Sequence, residues 1–180
     1  MDGIDGIAAS EAIFICVGVF LVAVFFTLPT NINILAIALA GSAAGFLPWN
    51  WHKAKIMLGD AGSIPIGFLL GFLLINLAIS GYFAAAFILP LYFLADASLT
   101  LFKRLITGKK IWQAHNEHYY QRAVQAGFGH NKIVLKITFA NLALVGLAVF
   151  SISQPLIAFF IASLIVSTLI IHFFQLTKNK

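Results

Sequence analysis

Residues 63–80 read SIPIGFLLGFLLINLAIS, a long apolar run without a charged residue. The hydrocarbon core of a bilayer is about 30 Å thick, and a helix of roughly 20 apolar residues crosses it. A run of this length that does not alternate polar with apolar residues favours a transmembrane helix over a strand. Five further runs are similar, so we expect an all-α protein with six transmembrane helices, at about residues 11–28, 32–47, 63–80, 82–102, 134–152 and 156–174.

The composition supports a membrane protein. The 180-residue chain is 61% hydrophobic and 9% charged, whereas a soluble domain is about half apolar and roughly a quarter charged. This composition excludes soluble enzymes, disordered tails and nucleic-acid-binding modules. The single cysteine, Cys16, excludes an internal disulfide and a multi-cysteine metal site. No repeat or linker divides the chain, so we expect one membrane domain over residues 1–180.

The basic residues indicate how the helices are oriented. The short connections at residues 29–31, 81 and 153–155 contain no Lys or Arg. Because basic residues favour the cytoplasmic side of a membrane, we expect both termini and the two long loops, at about 48–62 and 103–133, to face the cytoplasm. The net charge of +5 is then explained by anionic lipid headgroups, so we expect membrane lipids as partners and no nucleic acid.

Two glycines, Gly67 and Gly71, lie four residues apart within the run at 63–80. Small residues at this spacing let neighbouring membrane helices approach closely. We therefore expect a helix–helix contact at these glycines.

Acidic residues gather on the predicted cytoplasmic face. Asp2 and Asp5 lie in MDGIDGI, residues 1–7, and Asp60 lies in LGDAGS, residues 58–63. Carboxylates beside basic residues are typical of a Mg²⁺ site for a phosphorylated ligand, because Mg²⁺ prefers oxygen ligands and bridges to phosphate. Each motif also has a local explanation, since Asp-Gly pairs form turns and Asp60 or Ser63 can cap a helix.

The loop at 103–133 contains His115 and His118, which share a face if the segment is helical. One interpretation is that these histidines and Arg122 contact phosphate oxygens. The alternative is an amphipathic segment whose histidines and tyrosines lie at the headgroup level. A zinc site in this loop lacks a third ligand at suitable spacing.

Taken together, MDGIDGI, a membrane hairpin, KIMLGDAGS at residues 55–63 and a basic loop with spaced histidines resemble one family. It is the polyprenyl-phosphate N-acetylhexosamine-1-phosphate transferases, also called glycosyl transferase family 4. The resemblance covers nearly all of the chain, and the motifs occur in the family's order. It implies a transferase of the bacterial inner membrane that depends on Mg²⁺, with Mn²⁺ as a substitute. A polyprenyl phosphate such as undecaprenyl phosphate would attack a UDP-N-acetyl amino sugar, giving polyprenyl-diphospho-sugar and UMP.

The resemblance also implies roles for individual residues. Asp60 matches the family aspartate that ligates Mg²⁺, and Asp2 matches one assigned to the catalytic centre. Asp5 matches a residue near the uracil ring, while Asn50 and Met57 fall in the uridine pocket. The full set has catalytic residues Asp2, Asp60, His115, His118 and Arg122, and substrate-binding residues Gly3, Asp5, Asn50 and Met57.

The histidine loop departs from the His-x-His-His cluster of many relatives. Residues 115–122 read HNEHYYQR, which is similar to the His-x-x-His-x-Tyr-Gln-Arg pattern of transferases for O-antigen sugars such as N-acetylfucosamine or N-acetylquinovosamine. This likeness implies a role in initiating lipopolysaccharide O-antigen or another cell-envelope glycan.

Relatives of this kind carry several more helices and an adjacent pair of aspartates before the first motif. We therefore expect the chain to correspond to the C-terminal half of the family fold, with a separate N-terminal half as a partner. Two alternatives are a fragment that is inactive or depends on complementation, and a small transporter with Asp96 on a solute pathway.

Overall fold

The computed structural model describes residues 3–26, 30–110, 112–113 and 116–178. Within these ranges the chain is entirely helical, without a strand, which confirms the predicted fold class. The helices are α1 (Ile7–Phe25), α2 (Thr30–Asn50), α3 (Gly59–Ile79), α4 (Phe83–Ile88), α5 (Leu91–Ile106), α6 (Tyr119–Gln125), α7 (His130–Phe150) and α8 (Pro155–Lys178).

Five of these helices, α1, α2, α3, α7 and α8, are long and apolar enough to cross a membrane. They correspond to five of the six predicted runs, although their ends differ. Helix α1 begins at Ile7 rather than at residue 11, and α2 continues to Asn50. The two loops are therefore shorter than expected, and the second contains α6 and ends where α7 begins at His130.

The predicted single helix at 82–102 is wrong. The segment forms two helices, α4 and α5, which are separated at Leu89 and Pro90. Proline has no backbone N–H, so Pro90 cannot donate the hydrogen bond that would continue α4. The helical pattern resumes when the Leu94 N–H donates to the Pro90 carbonyl at 3.0 Å, and α5 then extends to Ile106, past the predicted end.

Helix α1 lies at the centre of the bundle. It packs against α2, α7 and α3, and Ile15, Val19 and Val22 on it are almost inaccessible to solvent. The buried carboxylate of Glu11 on α1 accepts a hydrogen bond from the Asn141 amide on α7. A polar pair of this kind is favoured between membrane helices because lipid offers no alternative partner. It fixes the register between α1 and α7.

The glycine pair in α3 does not mediate the expected helix contact. A Cβ atom placed on Gly67 or Gly71 would meet no other atom within 4 Å among the described residues. In contrast, a Cβ on Gly18 of α1 would collide with the Leu89 side chain. Gly18 therefore permits close packing against Leu89, and the contact predicted at Gly67 and Gly71 is not made within the described residues.

The two ends of the bundle differ in polarity. At one end the Gly81 turn closes α3 with hydrogen bonds from the Gly81 N–H to Ala78 and from the Tyr82 N–H to Leu77, at 2.9 and 3.1 Å. Gly81 has a φ of 97°, which glycine adopts without strain. This turn shares a cavity with the connection between α7 and α8.

The opposite end, here called the basic end, consists of the starts of α1, α3 and α7 together with the segments between α2 and α3 and between α5 and α7. The Lys and Arg residues in the described part of the chain lie in these segments, in the last turn of α5, in the first two turns of α7 or, for Lys178, at the end of α8, which returns to this end and packs against α6. The structure thus confirms that the cations gather at one end.

Candidate functional site

The first motif is held at the basic end by two histidines. The Asp5 carboxylate oxygen Oδ2 lies 2.8 Å from Nδ1 of His52 and 3.3 Å from Nδ1 of His130. The Ala54 N–H points at the same oxygen from 3.4 Å. Three chain segments that are distant in sequence therefore meet at one carboxylate: the residues before α1, the connection after α2 and the first residue of α7.

These contacts determine the ionisation of Asp5. Partial burial raises the pKa of its carboxyl group, but the hydrogen bonds from His52 and Ala54 and the charges of His130 and His52 lower it by more, so the pKa lies below its ordinary value. Asp5 is therefore a carboxylate at neutral pH. The family resemblance placed Asp5 near a uracil ring, and that role stays a prediction.

Asn50 anchors the start of α1. Its side chain is fully buried, accepts a hydrogen bond from the Gly6 N–H at 3.0 Å and donates one to the Ile56 carbonyl at 3.0 Å. Asn50 thus ties the end of α2 to both neighbouring segments. Met57, in contrast, is half-exposed on the same connection. The predicted uridine contacts of Asn50 and Met57 stay predictions.

The second motif begins α3. Asp60 lies in the first turn of that helix, its side chain is exposed, and it has no hydrogen-bond or ion-pair partner in the described ranges. The start of α3 packs beside the start of α1, because Leu58 and Ser63 share a cavity with Ala8 and Glu11. Asp60 and Asp5 are therefore at the same end of the bundle.

The histidine loop is held in place by the buried carboxylate of Asp96, which was not among the site residues predicted from the sequence. Asp96 on α5 is completely buried, and its Oδ2 lies 2.8 Å from Nδ1 of His118. Its other oxygen accepts the Tyr119 N–H at 2.9 Å. Asp96 thereby fixes both the His118 ring and the start of α6, and it is enclosed rather than exposed to an open pathway.

His118 is the N-cap of α6, which begins at Tyr119; the face that His118 would share with His115 in a helix stays a prediction, because it involves a residue outside the described ranges. His118 and Gln121 form a reciprocal capping box around that start. Arg122 lies within α6 and is partly exposed. His115 lies outside the described residues, as does Asp2.

The histidine loop and the first motif lie side by side. A Cβ atom on Gly3 would collide with the ends of the Gln121 and Tyr120 side chains, so the two segments are in close contact where they cross. Gly3, Gln121 and His130 also line a cavity of about 130 Å³. This cavity connects the Asp5 cluster with α6.

A second charged cluster closes the loop between α5 and α6. Arg104 is almost fully buried and donates to the Glu117 carboxylate at 3.0 Å and to the Lys110 carbonyl at 2.7 Å. The pKa of Glu117 is lowered, mainly by a hydrogen bond from Lys109. Desolvation raises it, and the positive charges of Lys109, Arg104 and Arg122 lower it further. The loop is thus held by ion pairs.

The exposed Asp60 carboxylate is a ligand of the type that Mg²⁺ binds. An exposed carboxylate leaves both oxygens for a cation, and Mg²⁺ is commonly bound through one or two carboxylates together with water and substrate phosphates. The start of a long helix beside it also favours anions. The Asp5 cluster suits Mg²⁺ less well, because two of its three donor atoms are imidazole nitrogens.

Comparisons with known proteins agree with this geometry. Residues 1–78, which contain both aspartate motifs, match the family described as Glycosyl transferase family 4. The chain is 32% identical over 137 residues to the phospho-N-acetylmuramoyl-pentapeptide-transferase of Clostridium beijerinckii, covering 74% of this chain and 40% of that protein. No solved structure gave a significant match.

Two other relatives are N-acetylglucosamine phosphotransferases by name. The decaprenyl-phosphate N-acetylglucosaminephosphotransferase of Mycobacterium leprae is 27% identical over 159 residues, which are 76% of this chain and 40% of that protein. The probable undecaprenyl-phosphate N-acetylglucosaminyl 1-phosphate transferase of Bacillus subtilis is 28% identical over 143 residues, with 76% and 39% covered.

The chain spans about two fifths of the length of these curated relatives. Its apolar helices and these homologues indicate a multi-pass membrane protein. These relatives are named as transferases of N-acetylglucosamine phosphate or phospho-N-acetylmuramoyl-pentapeptide, and residues 1–78 are similar to glycosyl transferase family 4.

Proposed function

We propose that this chain forms part of an enzyme that transfers a sugar 1-phosphate from a UDP-N-acetyl amino sugar to a polyprenyl phosphate. The products are a polyprenyl-diphospho-sugar and UMP. The names of the relatives support the reaction class, and the His-x-x-His-x-Tyr-Gln-Arg pattern at 115–122 supports an O-antigen or related envelope glycan as the destination.

One observation carries the proposal. The elements that bear the aspartate motifs and the histidine loop meet at the basic end, although they are far apart in sequence. Ala8 and Ser63 line one cavity, Asp5 contacts His130, and Gly3 lies against Gln121. A reaction between two anions needs this combination of carboxylates, which bind a cation, and basic groups, which bind phosphate.

Within this site Asp60 would hold the Mg²⁺, which when bound neutralises charge on the phosphate oxygens. Exposure of the Asp60 carboxylate supports that assignment. Arg122 and His118 would contact the diphosphate, and the Asp96 carboxylate supports His118 because it fixes the ring. Asp2 and His115 complete the proposed catalytic set. The uridine nucleotide would be bound by Gly3, Asp5, Asn50 and Met57.

The basic end would face the cytoplasm, where UDP-sugars are made and where anionic headgroups attract lysine and arginine. The enzyme would then lie in the bacterial inner membrane with both ends of this chain in the cytoplasm. The transporter alternative receives no support, because the Asp96 carboxylate is enclosed and bonded to His118 and Tyr119.

The test is release of UMP from UDP-N-acetyl amino sugars by membranes that contain undecaprenyl phosphate and Mg²⁺. Because the chain covers about two fifths of its relatives, it is assayed alone and after co-expression with the N-terminal segment of a full-length relative. UMP release only in the assembled form would identify a complementation-dependent part of the enzyme.

Asp60→Asn in the active form removes the carboxylate while conserving its shape. We expect turnover to fall by on the order of 100-fold or more, as for loss of other charge-stabilising groups. Asn76→Ala is the matched control, because Asn76 lies near the other end of α3 and, among the described residues, its side-chain amide donates to the Phe72 carbonyl of its own helix. Normal turnover in Asp60→Asn would contradict the proposal.

A further inference from the structure

We propose that Asp5, His52 and His130 form a binding site for a divalent transition metal of the Zn²⁺ type. Each residue offers one ligand atom, and the three atoms lie within 4.8 Å of one another. This site differs from the Mg²⁺ site proposed at Asp60 in position along the chain and in its donor atoms. Asp5 is also one of the residues proposed to bind the uridine nucleotide, but the metal site is tested by ion binding and not by turnover, so either proposal can fail without the other.

The distances suit a small cation. Zn²⁺ binds imidazole nitrogen and carboxylate oxygen at about 2.0–2.2 Å, so two ligands of a tetrahedral site lie roughly 3.3 Å apart. Oδ2 of Asp5 lies 2.8 Å from Nδ1 of His52 and 3.3 Å from Nδ1 of His130. Small side-chain movements, without a change of backbone, therefore bring the three atoms to coordination distance.

The chemistry of the donors selects the class of metal. Two imidazole nitrogens and one carboxylate oxygen suit Zn²⁺, Co²⁺ and Ni²⁺ better than Mg²⁺ or Ca²⁺, which prefer all-oxygen sites. Nδ1 of His52 is hydrogen-bonded to Oδ2 of Asp5, while Nδ1 of His130 lies 3.3 Å from the same oxygen and accepts a hydrogen bond from the Asp5 backbone N–H; the two ring centres are 5.1 Å apart. A metal ion can replace the proton in the hydrogen bond between His52 and Asp5, and the acceptor lone pair on Nδ1 of His130 can serve as a further ligand.

The cluster is accessible from solvent. The side chains of His52 and His130 are 33% and 31% exposed, and that of Asp5 is 15% exposed. An ion can therefore enter without unfolding of the helices, and water can occupy a fourth coordination position. The Ala54 N–H beside Oδ2 supplies the outer contact that commonly orients a metal-binding carboxylate.

A bound ion would link Asp5, just before α1, to His52, in the connection after α2, and to His130, the first residue of α7. Since the unfolded chain would not hold these three groups together, binding stabilises the folded form by mass action. We therefore expect Zn²⁺ to raise the melting temperature of the protein, with no comparable effect of Mg²⁺ at the same concentration.

The experiment uses the full chain in detergent, purified without a polyhistidine tag and stripped with a chelator. Zn²⁺ is titrated calorimetrically, and Co²⁺ is added as a spectroscopic probe whose visible absorption reports nitrogen and oxygen coordination. We expect one ion per chain, a tetrahedral or five-coordinate Co²⁺ spectrum, and displacement of Co²⁺ by Zn²⁺.

His52→Ala and His130→Ala remove one ligand each. Loss of a residue that only hydrogen-bonds to a metal ligand already weakens metal binding by about 10-fold or more, so loss of a ligand itself should weaken Zn²⁺ binding by at least about 10-fold. His172→Ala is the matched control, because His172 contacts Lys136 rather than the cluster. If His130→Ala fails to fold, His52→Ala decides the matter, since His52 lies on an exposed connection. Absence of Zn²⁺ and Co²⁺ binding in the unmodified chain, or equal binding by His52→Ala, would overturn the proposal.

Discussion

Helices α1 and α3 are similar in sequence character and different in surroundings. Over their most apolar 18 residues the mean hydropathy is 2.5 for α1 and 2.1 for α3, yet 61% of α1 and 11% of α3 is buried inside the protein. Hydropathy measures whether a helix suits apolar surroundings, and lipid is as apolar as a packed neighbour. It therefore identifies the helices without showing which one lies at the centre.

The same contrast holds where the two helices begin. Asp5, just before α1, is bonded to His52 and His130. Asp60, in the first turn of α3, is exposed and has no such partner among the residues described. The start of α1 is thus fixed by protein contacts, whereas the start of α3 presents a carboxylate to an incoming cation.

The largest expected difference in stability comes from truncating one large side chain on each helix. Ile15→Ala on α1 creates a cavity in the core, because Ile15 is 3% exposed, and should lower the free energy of unfolding by about 2–4 kcal/mol. Phe68→Ala on α3 should change it by less than about 0.5 kcal/mol, since Phe68 is among the most exposed residues of that helix. Chemical unfolding in detergent measures both, and equal losses would contradict the contrast in burial.

A smaller difference in stability is expected when a glycine of each helix is replaced by alanine, and the two replacements should act in opposite directions. Gly18→Ala on α1 forces the buried Leu89 side chain to move and should cost about 1 kcal/mol. Gly67→Ala on α3 meets no atom and should stabilise the helix by up to about 1 kcal/mol, because alanine favours helix more than glycine does. Thermal unfolding of the two variants side by side tests this. Stabilisation by Gly18→Ala would show that α1 and Leu89 are less closely packed.

The smallest effect concerns the two aspartates and pH. Because contacts in the folded state lower the pKa of Asp5, its carboxylate contributes stability above the ordinary value of about 3.9, and this contribution is lost as the pH falls through the folded-state pKa. The melting temperature of the unmodified protein should therefore fall below pH 4 more steeply than that of Asp5→Asn. Asp60→Asn is the matched comparison, because its carboxylate is exposed and has no hydrogen-bond or ion-pair partner among the described residues; equal flattening of the curve in both variants would contradict a specific role of the Asp5 contacts.

Much of the fold could be predicted from local features of the sequence. Five long apolar runs became long helices, and the basic residues did gather at one end. Proline was harder to interpret. Pro48 and Pro65 lie within helices, whereas Pro90 separates α4 from α5. Membrane helices accept proline when neighbouring groups satisfy the freed carbonyl, so the outcome depends on tertiary contacts.

The site could be predicted only in part, because the partners of its residues also depend on tertiary contacts. The aspartate motifs are contiguous and could be recognised directly. The partners of Asp5 lie 47 and 125 residues away, at His52 and His130, and those of His118 lie on another helix. Asp96 offered one signal, since a charged residue within an apolar run needs a partner, but the sequence did not identify His118 as that partner.

The central claim is that the starts of α1 and α3 lie side by side at the basic end. A short bis-maleimide applied to a chain with Ala8→Cys and Ser63→Cys, in a Cys16→Ala background, tests it most directly, because both residues line one cavity. The control pair joins Ala8→Cys to Ser80→Cys, at the far end of α3, roughly 25–30 Å further along at 1.5 Å per residue. Efficient cross-linking of the first pair and none of the second is expected. Cross-linking of the second pair without the first would contradict the central claim.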